Sequence, residues 1–198
     1  MSAEAPVYRA GRRRGIDLLR LAAGDQVMDI GCGTGLNFPL LQEKISPSGT
    51  IVGIDRSAAM LKQARRRAER SGWQNVILIE ADATSLTPAE VAVSITAAGG
   101  RALSDAVLAT YALSLMPDWE RSWLNMRRLL KPGGRTGVVD MQRPVGRYSV
   151  LTPLALLACR LGGADIDAHP WTAVERDCND VASSSARGGH LQIRVGTT

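Results

Sequence analysis

The chain has 198 residues, the length of one domain, with 45% apolar and 22% charged, which excludes a mostly disordered protein. Its 20 Gly and 9 Pro are too few for a collagen-like or low-complexity chain. The net charge of +5 comes from 21 Arg and 3 Lys against 19 acids and would suit an anionic partner; the clusters Arg12–Arg14 and Arg65–Arg70 lack interleaved aromatics to stack bases, so they read as solvated surface rather than a nucleic-acid site.

In chain order, apolar periodicity predicts a helix over Arg12–Ala23, with Ile16, Leu19 and Ala23 on one face and Gly24 as its stop. Val27–Ile30 is a short apolar strand running into glycines, Leu36–Lys44 a helix, and Ser46–Gly49 a turn. Ile51–Ile54 is the second strand and ends at Asp55. Ser57 caps a helix reaching Arg70, with Met60, Leu61, Ala64 and Ala68 as one stripe. Val76–Glu80 is a third strand, Thr87–Leu103 a helix broken at Gly99-Gly100, and Asp105–Ala109 a fourth strand. Pro117 opens a helix with Trp119, Trp123, Met126 and Leu130 buried, and Lys131-Pro-Gly-Gly134 closes it. Thr136–Met141 is a fifth strand. After Arg143 the pattern blurs until Leu191–Val195, a last strand following Gly188-Gly189. Alternating strands and helices predict an α/β fold, a parallel sheet covered on both faces.

The segment that carries chemistry is Val27-Met-Asp-Ile-Gly31-Cys-Gly33-Thr-Gly35. Glycines between a strand and a helix permit a tight turn and close approach of a ligand to backbone. Asp55 follows at the tip of the next strand, where a carboxylate accepts hydrogen bonds from ribose hydroxyls. Together they point to a nucleoside cofactor. The spacing is GxGxG, with Leu36 where the dinucleotide pattern places its third glycine, which disfavours a nicotinamide oxidoreductase.

This loop resembles motif I of the class I S-adenosylmethionine-dependent methyltransferases. Further segments resemble their later motifs: Ile51-Val-Gly-Ile-Asp55-Arg-Ser-Ala-Ala-Met60, Ile79-Glu-Ala-Asp82-Ala83, Asp105-Ala-Val-Leu-Ala-Thr110-Tyr111 and Leu129-Leu-Lys-Pro-Gly-Gly134. The likeness covers residues 10–142. It implies a Rossmann-like, doubly wound, mostly parallel seven-stranded sheet with an antiparallel last strand. It also implies S-adenosylmethionine as cofactor, with S-adenosylhomocysteine as product. By the same resemblance, Asp29 would orient the loop or meet the methionine ammonium through water. Gly31, Gly33 and Gly35 would pass backbone beneath the ligand. Asp55, with Arg56 beside it, would take the ribose, and Asp82 and Ala83 the adenine. Met60 would cover the adenine or belong to the core, and Thr110 would lie beside the sulfonium.

Methyl transfer from a sulfonium is an in-line displacement that needs positioning and no metal. Three scattered Cys and two His, without CxxC, give no metal-ligand pattern. Tyr111 and Asp140, at strand tips, are the catalytic candidates expected to face the cleft. Tyr8, His169 and Trp171 are candidates for substrate contact. The stretch Ala109–Met116 lacks the Pro-Pro-aromatic motif of nucleic-acid amine methyltransferases, so no nucleic-acid partner is expected. Thr110–Trp119 and Gly137-Val-Val-Asp140-Met resemble small lipid-headgroup N-methyltransferases, with quinone C-methyltransferases as broader relatives. The expected reaction is methylation of a small or lipid-like acceptor at nitrogen. Alternatives are carbon methylation of a quinone-like ring, or cofactor binding without catalysis.

A single domain is expected, with residues 1–25 as a helical lid segment, 26–142 as the cofactor core and 143–198 on the substrate side. Val150–Leu161, with only Arg160 charged, reads as a buried helix, a lid or an interfacial segment touching a membrane surface; it is too short to span one. The first residues lack the apolar core of a secretory signal, so a cytoplasmic location is expected.

Overall fold

The computed structural model describes residues 6–153, 156 and 163–198. Seven strands form one sheet: β1 (Gln26–Ile30), β2 (Thr50–Asp55), β3 (Val76–Glu80), β4 (Ser104–Thr110), β5 (Leu130–Met141), β6 (Asn179–Ala186) and β7 (Leu191–Thr197). Their order is β3-β2-β1-β4-β5-β7-β6. Neighbours from β3 to β5 are parallel, and β7 runs antiparallel to both β5 and β6. The fold is therefore the Rossmann-like, mostly parallel seven-stranded sheet that the motifs implied. The strand order reverses between β1 and β4, the switch point where such sheets open a crevice at their carboxyl ends.

Helices cover both faces. On one lie α1 (Pro6–Leu18), α2 (Phe38–Ile45) and α3 (Ala58–Arg70), burying Ile16, Phe38, Leu41 and Leu61 against Val27, Ile51 and Leu108. On the other lie α4 (Pro88–Ala97), α5 (Trp119–Arg128) and α6 (Thr172–Asp177), burying Ile95, Trp123 and Val174 against Met28, Val52 and Val107. The central strands are covered on both sides, which is why they read as unbroken apolar runs. No helix among the described residues is long and apolar enough to cross a membrane.

Several boundaries differ from the sequence reading. The first helix starts at Pro6 and ends at Leu18, not Ala23, and Arg20 already has a φ of 49°. Gly11 and Gly15 do not break it, because they lie against β5: a Cβ on Gly15 would stand 2.4 Å from a Val139 methyl. α4 stops at Ala97, short of the glycines. α5 stops at Arg128, so Lys131-Pro-Gly-Gly134 does not close a helix. It forms the irregular start of β5, with Leu130 buried in the strand. β6 was not expected: Asn179-Asp-Val-Ala-Ser-Ser-Ser-Ala186 is an edge strand with little apolar patterning, and it pairs through the Gly188-Gly189 turn with β7, the last strand that the sequence placed at Leu191–Val195. Most of Val150–Leu161 lies outside the described residues.

Candidate functional site

A cavity of about 620 Å³ opens at the carboxyl ends of β1, β2 and β4, a usual size for a small-ligand site. Its floor is the turn from β1 into α2. Gly31 and Gly33 have φ of 64° and 55°, backbone that other residues adopt only under strain. A Cβ on Gly31 would meet Ala112 at 2.5 Å, whereas one on Gly33 would meet nothing within 4 Å, so the backbone of Gly33 is open to a ligand. Gly35 does not line the cavity; it packs against the Phe38 ring.

Asp55 fastens this turn. Its carboxylate accepts the Gly33 amide at 2.8 Å and the Ser57 amide at 2.9 Å on different oxygens. Each oxygen retains a lone pair for a further donor. Asp82 accepts both the hydroxyl and the amide of Thr84 on Oδ1, at 2.6 and 2.8 Å, and these bonds hold its carboxyl below the usual range. Both carboxylates line the cavity with Arg56, Ala83 and Thr110, and Met60 closes one side, 42% exposed.

Beneath the loop is a buried polar cluster that the sequence reading only partly identified. Asp29 is fully buried; it accepts one Asn37 N–H on Oδ1 at 2.9 Å, and Oδ2 has no partner. Burial pushes its carboxyl up to about 7 against the pull of Asn37 and Arg12. Asn37 also donates to Thr110 Oγ1 at 3.0 Å, which explains why its side chain does not cap α2. Arg12, reaching over from α1, donates to Asn37 Oδ1 at 3.2 Å and to Thr110 Oγ1. Arg12 had been read as part of a solvated triplet, and Asn37 as helix interior. Neither has a local pattern that marks it: Arg12 acts across 25 and 98 residues, and Asn37 ties Asp29, on another element, to Thr110, 73 residues away.

Tyr111 follows β4 with φ of 53°, its amide held by Val139 O at 2.7 Å and its hydroxyl donating to Tyr8 O at 3.1 Å. An unusual backbone conformation at a cavity wall is a frequent mark of functional sites. Tyr8 packs edge-on against the Tyr111 ring at 5.0 Å, and the Arg12 guanidinium lies 5.1 Å from the same ring centroid. Beyond Tyr111 the wall is Ala112, Leu115, Met116 and Pro117.

Asp140 does not face the cavity, contrary to expectation. It is fully buried, and its carboxylate accepts Ser114 Oγ at 2.7 Å and the amides of Ser114 and Met141. Burial raises it to about 6, but its work is to fasten the Leu113–Leu115 turn to β5. His169 and Trp171 do not line the cavity either. Their rings stack at 4.8 Å, and Trp171 lies in the core with Val174. A strand-tip acid and a loop aromatic look alike in sequence whether they point to solvent or to the core.

A family profile described as "Methyltransferase domain" matches residues 21–162, nearly three quarters of the chain. The chain belongs to the class I S-adenosylmethionine-dependent methyltransferases. It is 30% identical over 133 residues to a demethylmenaquinone methyltransferase of Listeria welshimeri, a match covering 67% of this chain and 52% of that protein. It is 30% identical over 141 residues to an aklanonic acid methyltransferase of a Streptomyces species, covering 71% and 59%. An arsenite methyltransferase of Halobacterium salinarum is 25% identical over 149 residues, covering 74% and 35%. The chain thus spans between 35% and 59% of the length of these curated relatives. An S-adenosylmethionine-dependent methyltransferase structure from Aquifex aeolicus shares the fold with a TM-score of 0.61, at 13% identity over 94% of this chain and 88% of that one. A methyltransferase structure from Bacillus halodurans does so with 0.65, at 14% identity over 95% of each.

The cavity of this methyltransferase fits its cofactor. The amino-acid end of S-adenosylmethionine is a zwitterion: Arg12 lines the cavity and would meet a carboxylate, while Asp29 lies outside the lining, and its unpartnered Oδ2, buried beneath the loop, would act on an ammonium through water. The open backbone at Gly33 would admit the chain of the ligand. Asp55 would take the ribose hydroxyls, Asp82 the adenine amine and the exposed Met60 an adenine face. When bound, the cofactor supplies a methyl group on a sulfonium, already activated for displacement.

Proposed function

We propose that this methyltransferase acts on an apolar, ring-type acceptor of the quinone kind, at carbon. The observation that carries this reading is the wall beyond Thr110: Tyr111, Ala112, Leu115, Met116 and Pro117 present apolar surface next to the cofactor pocket, and Leu115 remains 42% exposed there. An apolar ring gains from displacing water off such a wall, and exclusion of water favours in-line transfer. The relative named for demethylmenaquinone supports the same acceptor class. Tyr111 would contact the acceptor. Its hydroxyl donates to Tyr8 O, which holds the ring at the cavity wall. Asp140 has no part in this step.

The headgroup nitrogen expected from the sequence is the second reading. It is favoured by Asp118, a carboxylate at the rim of the apolar wall that would attract a cationic amine. Methyl-labelled S-adenosylmethionine, offered with a demethylated naphthoquinol and separately with phosphatidylethanolamine vesicles, distinguishes the two. Label on a ring carbon of the quinol, with none on the amine, is the expected outcome. Label on the amine alone, or on neither, overturns the carbon reading.

A further inference from the structure

A second cavity, of about 690 Å³, lies outside the cofactor site between the glycine turn and the outer face of α3. Its lining includes Lys62, Arg66, Arg67 and Arg70, together with Thr34 and Ser71, and no carboxylate. Lys62, Arg66 and Arg70 follow one another at helical spacing of four, which sets like charges side by side and weakens the helix. The helix dipole favours cations in the last turn, which accounts for Arg67 and Arg70 but not for Lys62 or Arg66. Elsewhere cations meet acids: Arg13 with Glu43, Lys44 with Asp17, Arg143 with Asp167 and Arg194 with Glu175. Among the described residues no carboxylate pairs with the four cations of this groove; Glu69, the only acid of α3, does not line it.

One of the four is already held in place. Arg67 is half-buried, and its Nε–H donates to Thr34 O at 2.9 Å, which sets the guanidinium against the glycine turn with its remaining N–H groups unused by protein acceptors. A concave groove with four cations, two small polar residues and no internal counter-charge has the composition of a phosphate site, where guanidinium and ammonium groups make charge-assisted bonds to several oxygens.

We propose that this groove binds phosphate groups, either on a soluble phosphorylated molecule or on a lipid headgroup. Because Thr34 belongs to both cavities, the bound phosphate lies against the backside of the cofactor loop. The site is independent of the acceptor reading above.

The test uses the whole chain and inorganic tripolyphosphate as probe, titrated by calorimetry at low and high salt. Lys62→Gln with Arg66→Gln should weaken binding at least tenfold while leaving S-adenosylhomocysteine affinity and the melting temperature in place. Arg121→Gln with Arg128→Gln, which removes the same charge from α5, should leave tripolyphosphate binding unchanged. In a parallel arm, phosphatidylglycerol vesicles are compared with phosphatidylcholine vesicles. Binding to the anionic vesicles that the groove variant loses assigns the site to headgroups; tripolyphosphate binding without vesicle binding assigns it to a soluble phosphate. Binding of neither probe, or equal weakening in the α5 control, overturns the proposal.

Discussion

Asp29 concentrates the electrostatics of the site in one carboxyl group. In the folded protein its pKa is about 7, against 3.8 for an ordinary aspartate, so between those values the folded state holds a proton that the unfolded chain has released. Its contribution to stability is complete below about pH 4 and is lost as pH rises through about 7. Asp140, raised to about 6, acts in the same direction over a narrower window. Urea denaturation of the protein without cofactor should therefore give lower stability at about pH 8 than at about pH 5, and Asp29→Asn should shrink that difference. With cofactor the sign reverses, because an ammonium favours the ionised carboxyl. Affinity for S-adenosylhomocysteine should rise from about pH 6 to about pH 7.5 in the native protein and stay nearly flat in Asp29→Asn. Asp55 and Asp82, which line the cavity, could be named from sequence because the motifs fix their places. Arg12 and Asn37 could not, because their partners lie on other elements.

At the level of elements, α1 is the piece most altered between expectation and structure. Apolar spacing placed its buried face at Ile16, Leu19 and Ala23; Ile16 and Leu19 are buried, but Ala23, well past the helix end, is exposed. What spacing could not show was that Gly11 and Gly15 form a seam against β5. These glycines bring the helix close enough for Arg12 to reach Thr110 and for Tyr8 to meet Tyr111. Replacing Gly15 with Leu should cost about 1–3 kcal/mol, read as a shift of the urea midpoint, and should also lower cofactor affinity, because Arg12 moves with the helix. Arg14→Ala, on the exposed side of α1, should change neither by more than about 0.5 kcal/mol. Asp140 makes the same point for β5. A strand tip was legible; the turn folded over it, closing Ser114 onto the carboxylate, was not.

For the whole molecule, the parallel half of the sheet was readable because its strands carry apolar runs, with a glycine or an acid at the ends of β1, β2 and β3. In the antiparallel half β7 was readable as the last strand, but β6 was not, since it is serine-rich and lies at an edge where one face meets solvent. Burial makes the two strands of that half unequal. Ile193→Ala, in the middle of β7, should cost about 2–5 kcal/mol in a denaturation experiment. Ser183→Ala, exposed on β6, should cost no more than about 0.5 kcal/mol.

The placement of β7 between β5 and β6 also orders events in time. β6 precedes β7 in the chain, yet among the described strands its one neighbour is β7, and the outer edge of β5 waits for that same strand. The cofactor half can pair strand by strand as it leaves the ribosome, while the other half must close in a single late step. Until that step the nascent chain carries an open sheet edge, the kind of surface that recruits chaperones or other chains. A released chain truncated between residues 186 and 191 would keep β6 unpaired and the outer edge of β5 open, and should aggregate more than the whole chain.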